Sequence, residues 1–429
     1  MPRDPRRPAP SREKIVHALY EAAEIEHCFM CTYLYAAFSL RSGTEEGLSG
    51  TEAEVVASWR RTILGVAIDE MSHLIAAWNL TSSLGGAPRF GRSNFPLDPG
   101  YLPANLVVRL APFDDSVIQH FIYLERPEGS GELDGGGFET MAHSQRTVAG
   151  VHLTPTGYDY RTVGQFYEEI VVDLQELANR IGEEALFCGN PALQLTAAES
   201  KLPGASPVTD LASALAAIEH IVIEGEGAPR HRENSHFQRF RRIREELRAL
   251  SANNPSFSPA HPAAVNPVLR RPPKPEGHVR LEDREAVATV DLANAIYGLM
   301  LRLLAGAYAL PTGEAEKLVY VRSSVGLMQA LTHLAERAAR LPAGAANPGI
   351  NAGVSFTALR DAASLPPGTS ARRFYAERIE ELRVAAEALD LTDPRCAATA
   401  KLLSGLSSQF GSEPPAQSQP GPKAIQAQQ

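Results

Sequence analysis

Glu70 and His73 form the pair of residues whose types and spacing most clearly indicate metal chemistry. They lie three residues apart in the run Asp69-Glu-Met-Ser-His, inside a stretch with a helical pattern. On an α-helix this spacing puts both side chains on one face, one turn apart. A Glu-x-x-His pair that points into a helical bundle is half of a di-iron or di-manganese carboxylate site. Isolated pairs of this kind are more often surface pairs, so the interpretation depends on carboxylates from other helices.

Glu26 offers such a carboxylate on the first predicted helix. Its helical face also carries Phe29, Met30 and Tyr33. A carboxylate on an apolar, aromatic face is costly to bury alone, so it needs a metal ion or an arginine as its partner. Tyr33 is interpreted either as a tyrosine with a catalytic or redox role beside Glu26 or as a plain core tyrosine.

Two later helices offer the remaining carboxylates. In the third helix Glu168 and Glu169 are adjacent, so only one of them can face inward. The fourth helix carries three glutamates, Glu219, Glu224 and Glu226. None of these residues is followed by a histidine three positions later, so the second half-site lacks the usual Glu-x-x-His spacing.

His236 is the nearest downstream candidate for the missing histidine. It follows the helix-cap candidates Asn234 and Ser235, which predicts a place in the first turn of the next helix. A helix N-terminus disfavours protonation, so the imidazole would stay neutral and able to coordinate a metal. The alternative is an exposed first-turn histidine.

The donor types indicate which metals to expect. Carboxylate-rich sites with one histidine per metal favour iron or manganese over zinc, which prefers cysteine and histidine. Cys28 and Cys31 have redox-motif spacing, but they lie in the middle of a helix without a βαβ context. They are therefore interpreted as buried free thiols.

The composition excludes several classes of protein. The 429 residues carry a net charge of −9 without a basic block or face, which argues against a partner that is nucleic acid or a membrane surface. No apolar run reaches the ~18 residues that span a bilayer. The N-terminus has no apolar signal core behind its charges. Four cysteines are too few for a disulfide framework, so a cytoplasmic location is expected.

Helices must position these side chains, and the turn and cap residues of the sequence predict where each helix begins and ends. We expect helices near 12–41, 52–84, 163–188 and 207–226 to form one bundle, followed by an arginine-rich helix near 235–251. Capping boxes at Thr51–Glu54 and Thr162–Gln165 support two of the helix starts. Residues 87–160 are rich in Pro, Gly and Asp and form a long crossover, with extended pieces predicted at 107–110 and 121–124.

The predicted fold is therefore all-α. Residues 1–10 and 411–429 are expected to be disordered, and residues 11–251 to form the bundle domain. Residues 252–282 are rich in proline and are predicted to be an extended linker. Residues 283–410 are predicted to form a C-terminal helical region with helices near 284–309, 313–341 and 370–389.

The whole pattern resembles a known family, the ferritin-like domain of iminophenyl-pyruvate dimer synthases. Those enzymes couple tryptophan-derived imines in violacein and rebeccamycin biosynthesis. The resemblance covers most of residues 12–390. The similar segments are Glu24–His27, Asp69–His73, Phe121–Pro127, Phe166–Glu168, Gly225–Gly227, Ser235–Phe237, Leu327-Met328 and Ala352-Gly353.

The resemblance implies a ferritin-like four-helix bundle and a set of metal ligands. Those ligands are Glu26, Glu70, His73, Glu168, Glu226 and His236. Glu226 is preferred over Glu224 because it is the glutamate of the Gly-Glu-Gly motif. The chain differs from the dimer synthases in lacking their large additional N-terminal region, and Ala-Gly-Val-Ser-Phe at 352–356 replaces a more usual Ala-Gly-Pro version. It is therefore expected to be a stand-alone member whose oxidative chemistry need not be imine coupling.

Three functions are considered for such a chain. The first is a non-haem dimetal oxidase or oxygenase with two iron ions, or manganese in their place, whose partners are O₂ and a small, amino-acid-derived metabolite. The second is a ferroxidase or iron-handling protein without an organic substrate. The third is a metal-free helical scaffold whose acidic residues pair with arginine. A homodimer is also considered.

Overall fold

Helices form nearly all of the regular structure of the protein. The computed structural model describes residues 9–98, 101–102, 106–138, 160–225, 232–270, 277–358 and 364–411. Within these ranges a two-stranded parallel sheet, β1 (Pro267–Val268) and β2 (Val279–Arg280), lies between the eighth and ninth helices. The helices are α1 (Arg12–Ser39), α2 (Gly50–Ser83), α3 (Asp115–Leu124), α4 (Val163–Ile181), α5 (Glu183–Leu186), α6 (Ala197–Ser200), α7 (Leu211–Glu224), α8 (His236–Asn253), α9 (Arg284–Ala307), α10 (Ala315–Ala338), α11 (Thr369–Glu387) and α12 (Pro394–Gly411).

Four helices form the predicted bundle. The helix α1 packs against α2 and α4, and α7 packs against the same two helices. A capping box begins α2 at Ser49 and Glu52, two residues before the predicted box. The third helix is shorter than predicted because Gly182 interrupts it with a φ of +86°, and α7 ends at Glu224, before Gly225. The all-α prediction and the four bundle helices are confirmed.

The connection between α2 and α4 contains a helix where the sequence predicted an extended piece. Asp114 accepts a hydrogen bond from the backbone N–H of Val117 and so begins α3. A short apolar run does not distinguish a strand from a buried helix, which is why 121–124 was misassigned. Residues 107–110 form no regular strand. Residues 139–159 of the predicted crossover lie outside the described residues. The helix α3 packs against α8, and this pair lies beside the bundle.

A second layer of helices follows in the C-terminal part of the chain. The helix α9 packs against α10, α11 packs against α9, and α12 packs against α10 and α11. The helix α12 was not predicted. Asp393 accepts a hydrogen bond from the N–H of Arg395 where this helix begins at Pro394, and proline is well tolerated at a helix start because its missing N–H has no partner there.

The proline-rich segment between the layers is hydrogen-bonded on both sides. The backbone N–H of Arg41 donates to Pro259, and that of His261 donates to Ser39. The N–H of Asn351 donates to Pro262. The segment therefore lies against the end of α1 and the loop after α10, and the domain boundaries proposed from the sequence stay a prediction.

The helix α1 lies at the centre of the molecule. Eighteen of its 28 residues are buried, and the hydrophobic ones among them belong to one cluster with residues of both layers. Its Tyr35 hydroxyl donates to the carbonyl of Ala264, and its His27 contacts Tyr297 of α9. Both faces of α1 are therefore covered by other parts of the chain.

Among the described residues, α9 is the one helix that is long and apolar enough to cross a membrane, although no such segment was expected from the sequence. In its most apolar stretch, 56% of the residues are buried inside the protein. The core helix of a folded protein has the same length and composition, so α9 is weak evidence for a membrane span.

Candidate metal centre

The first half of the candidate site joins α1 and α2. The Nδ1 atom of His73 lies 3.1 Å from Oε2 of Glu70 and 3.6 Å from Oε2 of Glu26. All three side chains are buried, with exposures of 0–1%. The helical spacing brings Glu70 and His73 to one face of α2, and the facing side of α1 presents Glu26.

The second half joins the same glutamate to α3 and α8. The Nδ1 atom of His236 lies 3.0 Å from Oε1 of Glu70 and 3.4 Å from Oε2 of Glu125. Glu125 directly follows the last residue of α3, and His236 is the first residue of α8. Both are fully buried. Because α3 packs against α8, the end of one helix meets the start of the other beside Glu70.

Glu70 belongs to both clusters, and each of its oxygens faces a different histidine. The first cluster is Glu26, Glu70 and His73; the second is Glu70, Glu125 and His236. This is the arrangement expected of two adjacent cation sites that share a bridging carboxylate. The rings of His73 and His236 are 5.6 Å apart between centroids, so the two clusters occupy one small volume.

The ligand atoms themselves give a test of whether a cation fits. Within the part of the chain that the structure describes, Glu26 Oε2, Glu70 Oε1, Glu125 Oε2 and His236 Nδ1 are buried without a hydrogen-bond partner. A buried polar atom without a hydrogen-bond partner destabilises the folded protein. Separations of 3.0–3.6 Å between ligand atoms suit a cation that bonds to each at ~2 Å. The donor set of carboxylates with one imidazole per site fits iron or manganese.

Two tyrosine hydroxyls donate to Glu26 and Glu125, each of which belongs to only one of the two clusters. Tyr33 of α1 donates to Oε1 of Glu125, and Tyr167 of α4 donates to Oε1 of Glu26. In both glutamates the other oxygen faces the cluster. The Tyr33 ring is packed between Phe121 and Phe240, with centroids 4.6 and 5.1 Å away. Both tyrosines therefore orient a carboxylate of the candidate site, and Tyr33 contacts Glu125 rather than Glu26.

The outer nitrogens of the two histidines also face carboxylates. Nε2 of His236 lies 3.3 Å from Asp69, whose carboxylate is held by Arg239 at 2.7 Å. Nε2 of His73 lies 3.6 Å from Oε2 of Glu224, at the end of α7. Carboxylates in this position fix the ring orientation of metal-binding histidines.

The carboxylates of the site attract positive charge. Burial would lower the pKa of His73 and that of His236, but Glu70 and Glu125 outweigh it and raise both, which contradicts the neutral imidazole expected for His236 from the sequence. Burial raises the pKa of Glu26 to about 8, and repulsion from Glu70 adds to the effect. Burial would also raise the pKa of Glu70, but His73 and His236 outweigh it and lower that pKa. Glu26 therefore keeps a proton at neutral pH while Glu70 is ionised, and a bound cation would take the place of that proton.

The structure places the residues proposed from the sequence in different surroundings. Glu26, Glu70, His73 and His236 come together as described. Glu168 does not join them, because its side chain is exposed and the helical phase of α4 turns the adjacent Tyr167 inward. Glu226 lies outside the described residues.

Glu125 was missed because its segment was interpreted as an extended piece. The Asp114 cap and the run Phe121–Pro127, which belongs to the family resemblance, were the available signals. Tyr167 was missed because its neighbour was taken as the inward residue.

A second buried polar network lies elsewhere on α1. The Tyr297 hydroxyl is 2.6 Å from Nε2 of His27, and Arg92 donates to Tyr297 and to the carbonyl of Phe356. Burial and the nearby Arg92 charge lower the pKa of His27, so its ring is neutral. This network joins α1 to the crossover and to the C-terminal layer. A separate cavity of about 500 Å³ lies between Phe95, Asn294 and Phe374 and shares no residue with the metal clusters.

Known proteins resemble this chain over most of its length. The 2-imino-3-(indol-3-yl)propanoate dimerase of Chromobacterium violaceum is 28% identical in an alignment 409 positions long, which covers 89% of this chain and 37% of that protein. The dichlorochromopyrrolate synthase of Lentzea aerocolonigenes is 25% identical in an alignment 454 positions long, which covers 95% of this chain and 42% of that relative. The chain thus spans about two fifths of the length of these curated relatives.

A solved structure and a family model add to this comparison. The crystal structure of a ferritin-like protein from Caulobacter vibrioides is 18% identical and covers 76% of this chain and 96% of its own, with a TM-score of 0.45. The ferritin-like family model matches residues 19–245, from the middle of α1 into α8. This match includes more than half of the sequence and all five side chains of the two clusters, so the chain belongs to the ferritin-like family.

Proposed function

We propose that this protein is an O₂-dependent oxidoreductase with a non-haem dimetal centre, built for two iron ions. The observation that carries the proposal is the pair of buried clusters that share Glu70. One ion would be held by Glu26, Glu70 and His73. The other would be held by Glu70, Glu125 and His236. When bound, two iron ions supply the redox chemistry by which O₂ is reduced.

The side chains of this chain do the remaining work. Tyr33 and Tyr167 hold Glu125 and Glu26 so that one oxygen of each stays directed to the centre. Buried aromatic residues around Tyr33 exclude water from that side. Among the described residues, Asp69, Glu224 and His220 near the clusters are partly exposed, with side-chain exposures of 22–33%, so O₂ and substrate would approach from the side of α2 and α7.

The proposed substrate is a small, amino-acid-derived metabolite. The support is the activity for which one relative is named, since that enzyme acts on 2-imino-3-(indol-3-yl)propanoate, an aromatic imino acid. A metal-free scaffold accounts less well for the site, because it would leave several buried ligand atoms without partners.

Metal analysis of matched variants tests the proposal. Purified protein prepared with ample iron should hold two ions per chain. Glu70→Ala should lose both, because it removes the shared carboxylate, and Glu125→Ala should weaken one site. Glu168→Ala is the matched control and should keep two ions, since that side chain is exposed.

Equal metal content in the Glu70→Ala and unmodified proteins would overturn the dimetal centre. Loss of iron from Glu168→Ala but not from Glu125→Ala would restore the ligand set inferred from the sequence. Oxygen uptake in the presence of an aromatic imino acid then tests the substrate class, with the Glu70→Ala protein as the blank.

A further inference from the structure

His73 faces two different sets of acidic atoms with its two ring nitrogens. Nδ1 faces Glu26 and Glu70, as described above. Nε2 faces the opposite way, 3.6 Å from Oε2 of Glu224, and has no hydrogen-bond partner among the described residues. The His73 side chain is 1% exposed. A buried, unpartnered nitrogen therefore points away from the dimetal centre toward a second carboxylate.

His220 completes a third cluster around that carboxylate. It lies one turn before Glu224 on α7, and its Nε2 is 3.8 Å from Oε2 of Glu224. The ligand atoms of His73, His220 and Glu224 all lie within 4.8 Å of one another. The Nε2 atom of His220 is itself buried and has no hydrogen-bond partner within the described ranges. These separations leave room for a cation between the three side chains.

The third cluster differs from the inner two in its exposure. His220 and Glu224 have side-chain exposures of 24% and 33%, whereas the inner ligands have 0–1%. His73 is the one residue that belongs to both the outer cluster and the dimetal centre. The outer cluster therefore lies between solvent and the buried site.

We propose that His73, His220 and Glu224 form a loading site for a divalent first-row transition metal on its way to the dimetal centre. Two imidazoles and one carboxylate are suitable ligands for such ions. The inference rests on the proposed function, because an ion that loads needs an inner site to reach.

The chemistry of imidazole makes the outer site transient. A neutral imidazole has one nitrogen with a free lone pair, and the other nitrogen carries a proton. His73 can therefore bind an outer ion through Nε2 or an inner ion through Nδ1, but not both while it is neutral. Transfer inward moves the ring proton from Nδ1 to Nε2. In the loaded protein Nε2–H then faces Glu224, and the outer site has lost one of its three ligands.

The local backbone confines His220 in this position. Gly204 has a φ of +79°, and a Cβ there would overlap Nε2 of His220, so only glycine permits this close approach. The Ser72 hydroxyl donates to the carbonyl of Pro203, which ties this loop to α2. The loop therefore forms a wall behind His220.

Anaerobic binding of Co²⁺ tests the proposal, followed by stopped-flow absorbance and by equilibrium metal analysis. The variant is His220→Phe, which keeps a ring beside His73 and removes both donor nitrogens. We expect it to reach the same two ions per chain as the unmodified protein, but about 10-fold more slowly or worse. His333→Phe, a half-buried histidine on α10, controls for loss of a histidine and should load at the normal rate.

A second variant tests the role of His220 in loading without replacing any of the three proposed ligands. Gly204→Ala should slow loading as His220→Phe does, because the added methyl group displaces the His220 ring. Circular dichroism of each variant checks that it is folded. If folded His220→Phe loads as fast as the unmodified protein, or loses a tightly bound ion at equilibrium, the loading site is wrong while the dimetal centre stands. If the unmodified protein binds no Co²⁺, the proposed function fails as well.

Discussion

The hydroxyls of Tyr33 and Tyr167 make equivalent hydrogen bonds on opposite sides of the site. Each donates to the outer oxygen of a glutamate whose inner oxygen faces a cluster. Loss of a hydrogen bond that orients a ligand commonly weakens metal binding by about 10- to 100-fold. We therefore expect Tyr33→Phe and Tyr167→Phe to weaken iron binding by a factor in that range, as measured by competition with a chelator.

Tyr35→Phe is the matched control for these two variants. Tyr35 is a fully buried tyrosine on the same helix as Tyr33, but its hydroxyl donates to the carbonyl of Ala264. It should lose some stability and keep its affinity for iron. If all three variants show the same affinity for iron, the tyrosines of the site are ordinary core residues.

Individual members of the two clusters were predictable from the sequence where the helical period alone decides the direction of the side chain. Glu70, His73 and Glu26 sit on faces that can be counted from the sequence, and His236 follows a polar cap. Glu168 lies away from the clusters because the rotation of α4, which packing sets, decides which of several adjacent residues faces inward. Glu125 depends on how α3 packs against α8, a contact between residues more than 100 positions apart in sequence, for which no local pattern exists.

The α3–α8 pair is the element on which the second cluster depends. Asp115 at the start of α3 accepts hydrogen bonds from Arg244 at 2.9 Å and from Arg248 at 2.9 Å, both on α8. At the other end of the same pair lie Glu125 and His236. The ion pairs therefore help to hold the two helices in the position that the second cluster requires.

Asp115 gives this pair of helices a pH dependence with a defined sign. The hydrogen bond from Arg244, followed by that from Arg248, lowers the pKa of Asp115 from 3.8 to about 2. A carboxyl with a lowered pKa stabilises the fold above its unfolded pKa, and this contribution is lost as the pH falls from about 4 to about 2. Because the group is half exposed, we expect Asp115→Asn to cost only ~0.5–1 kcal/mol at neutral pH.

Thermal unfolding at a series of pH values checks this prediction. The difference between the Asp115→Asn and unmodified proteins should be present at pH 6–7 and should shrink through the window of pH 4 to 2. The control is Glu377→Gln, which removes an exposed pair with Arg373 inside α11 and should change little. A difference that stays constant with pH would mean that the Asp115 charge plays no part.

Helices with strong caps and long apolar faces were predictable at the element scale. The bundle helices α1 and α2 were placed within a few residues of their true ends. The helix α3 was not, because its apolar run is only a few residues long and matches a strand equally well. The helix α12 was missed because its small and polar residues give a weak pattern, and its burial comes from contact with α10 and α11.

At the scale of the whole molecule, α1 joins the two helical layers. Its inner face presents Glu26 to the cluster, and His27 contacts Tyr297 of α9, which Arg92 links to Phe356. The proline-rich segment is hydrogen-bonded to both layers. Sequence composition predicted a linker there, but proline content does not reveal whether a segment packs against its neighbours, and the domain boundaries stay a prediction.

We expect the protein to unfold in one cooperative transition, since neither layer can cover α1 alone. Differential scanning calorimetry should show one peak, with equal calorimetric and van't Hoff enthalpies. Arg92→Met should lower the midpoint temperature of this peak without splitting the peak in two. Two separate peaks would contradict this view and would support the domain boundaries proposed from the sequence.

The four cysteines differ in exposure, so their reactivity can report when each part of the fold opens. Cys188 is exposed, whereas Cys28 and Cys31 are buried in α1 and Cys396 is buried in α12. Burial raises the pKa of all three buried thiols, so few thiolates are present to react. An alkylating reagent should therefore label Cys188 at once and the others only after the fold opens. The times at which the cysteines of α1 and α12 become labelled, read by mass spectrometry, should coincide if the fold opens in one transition and differ if one layer opens first.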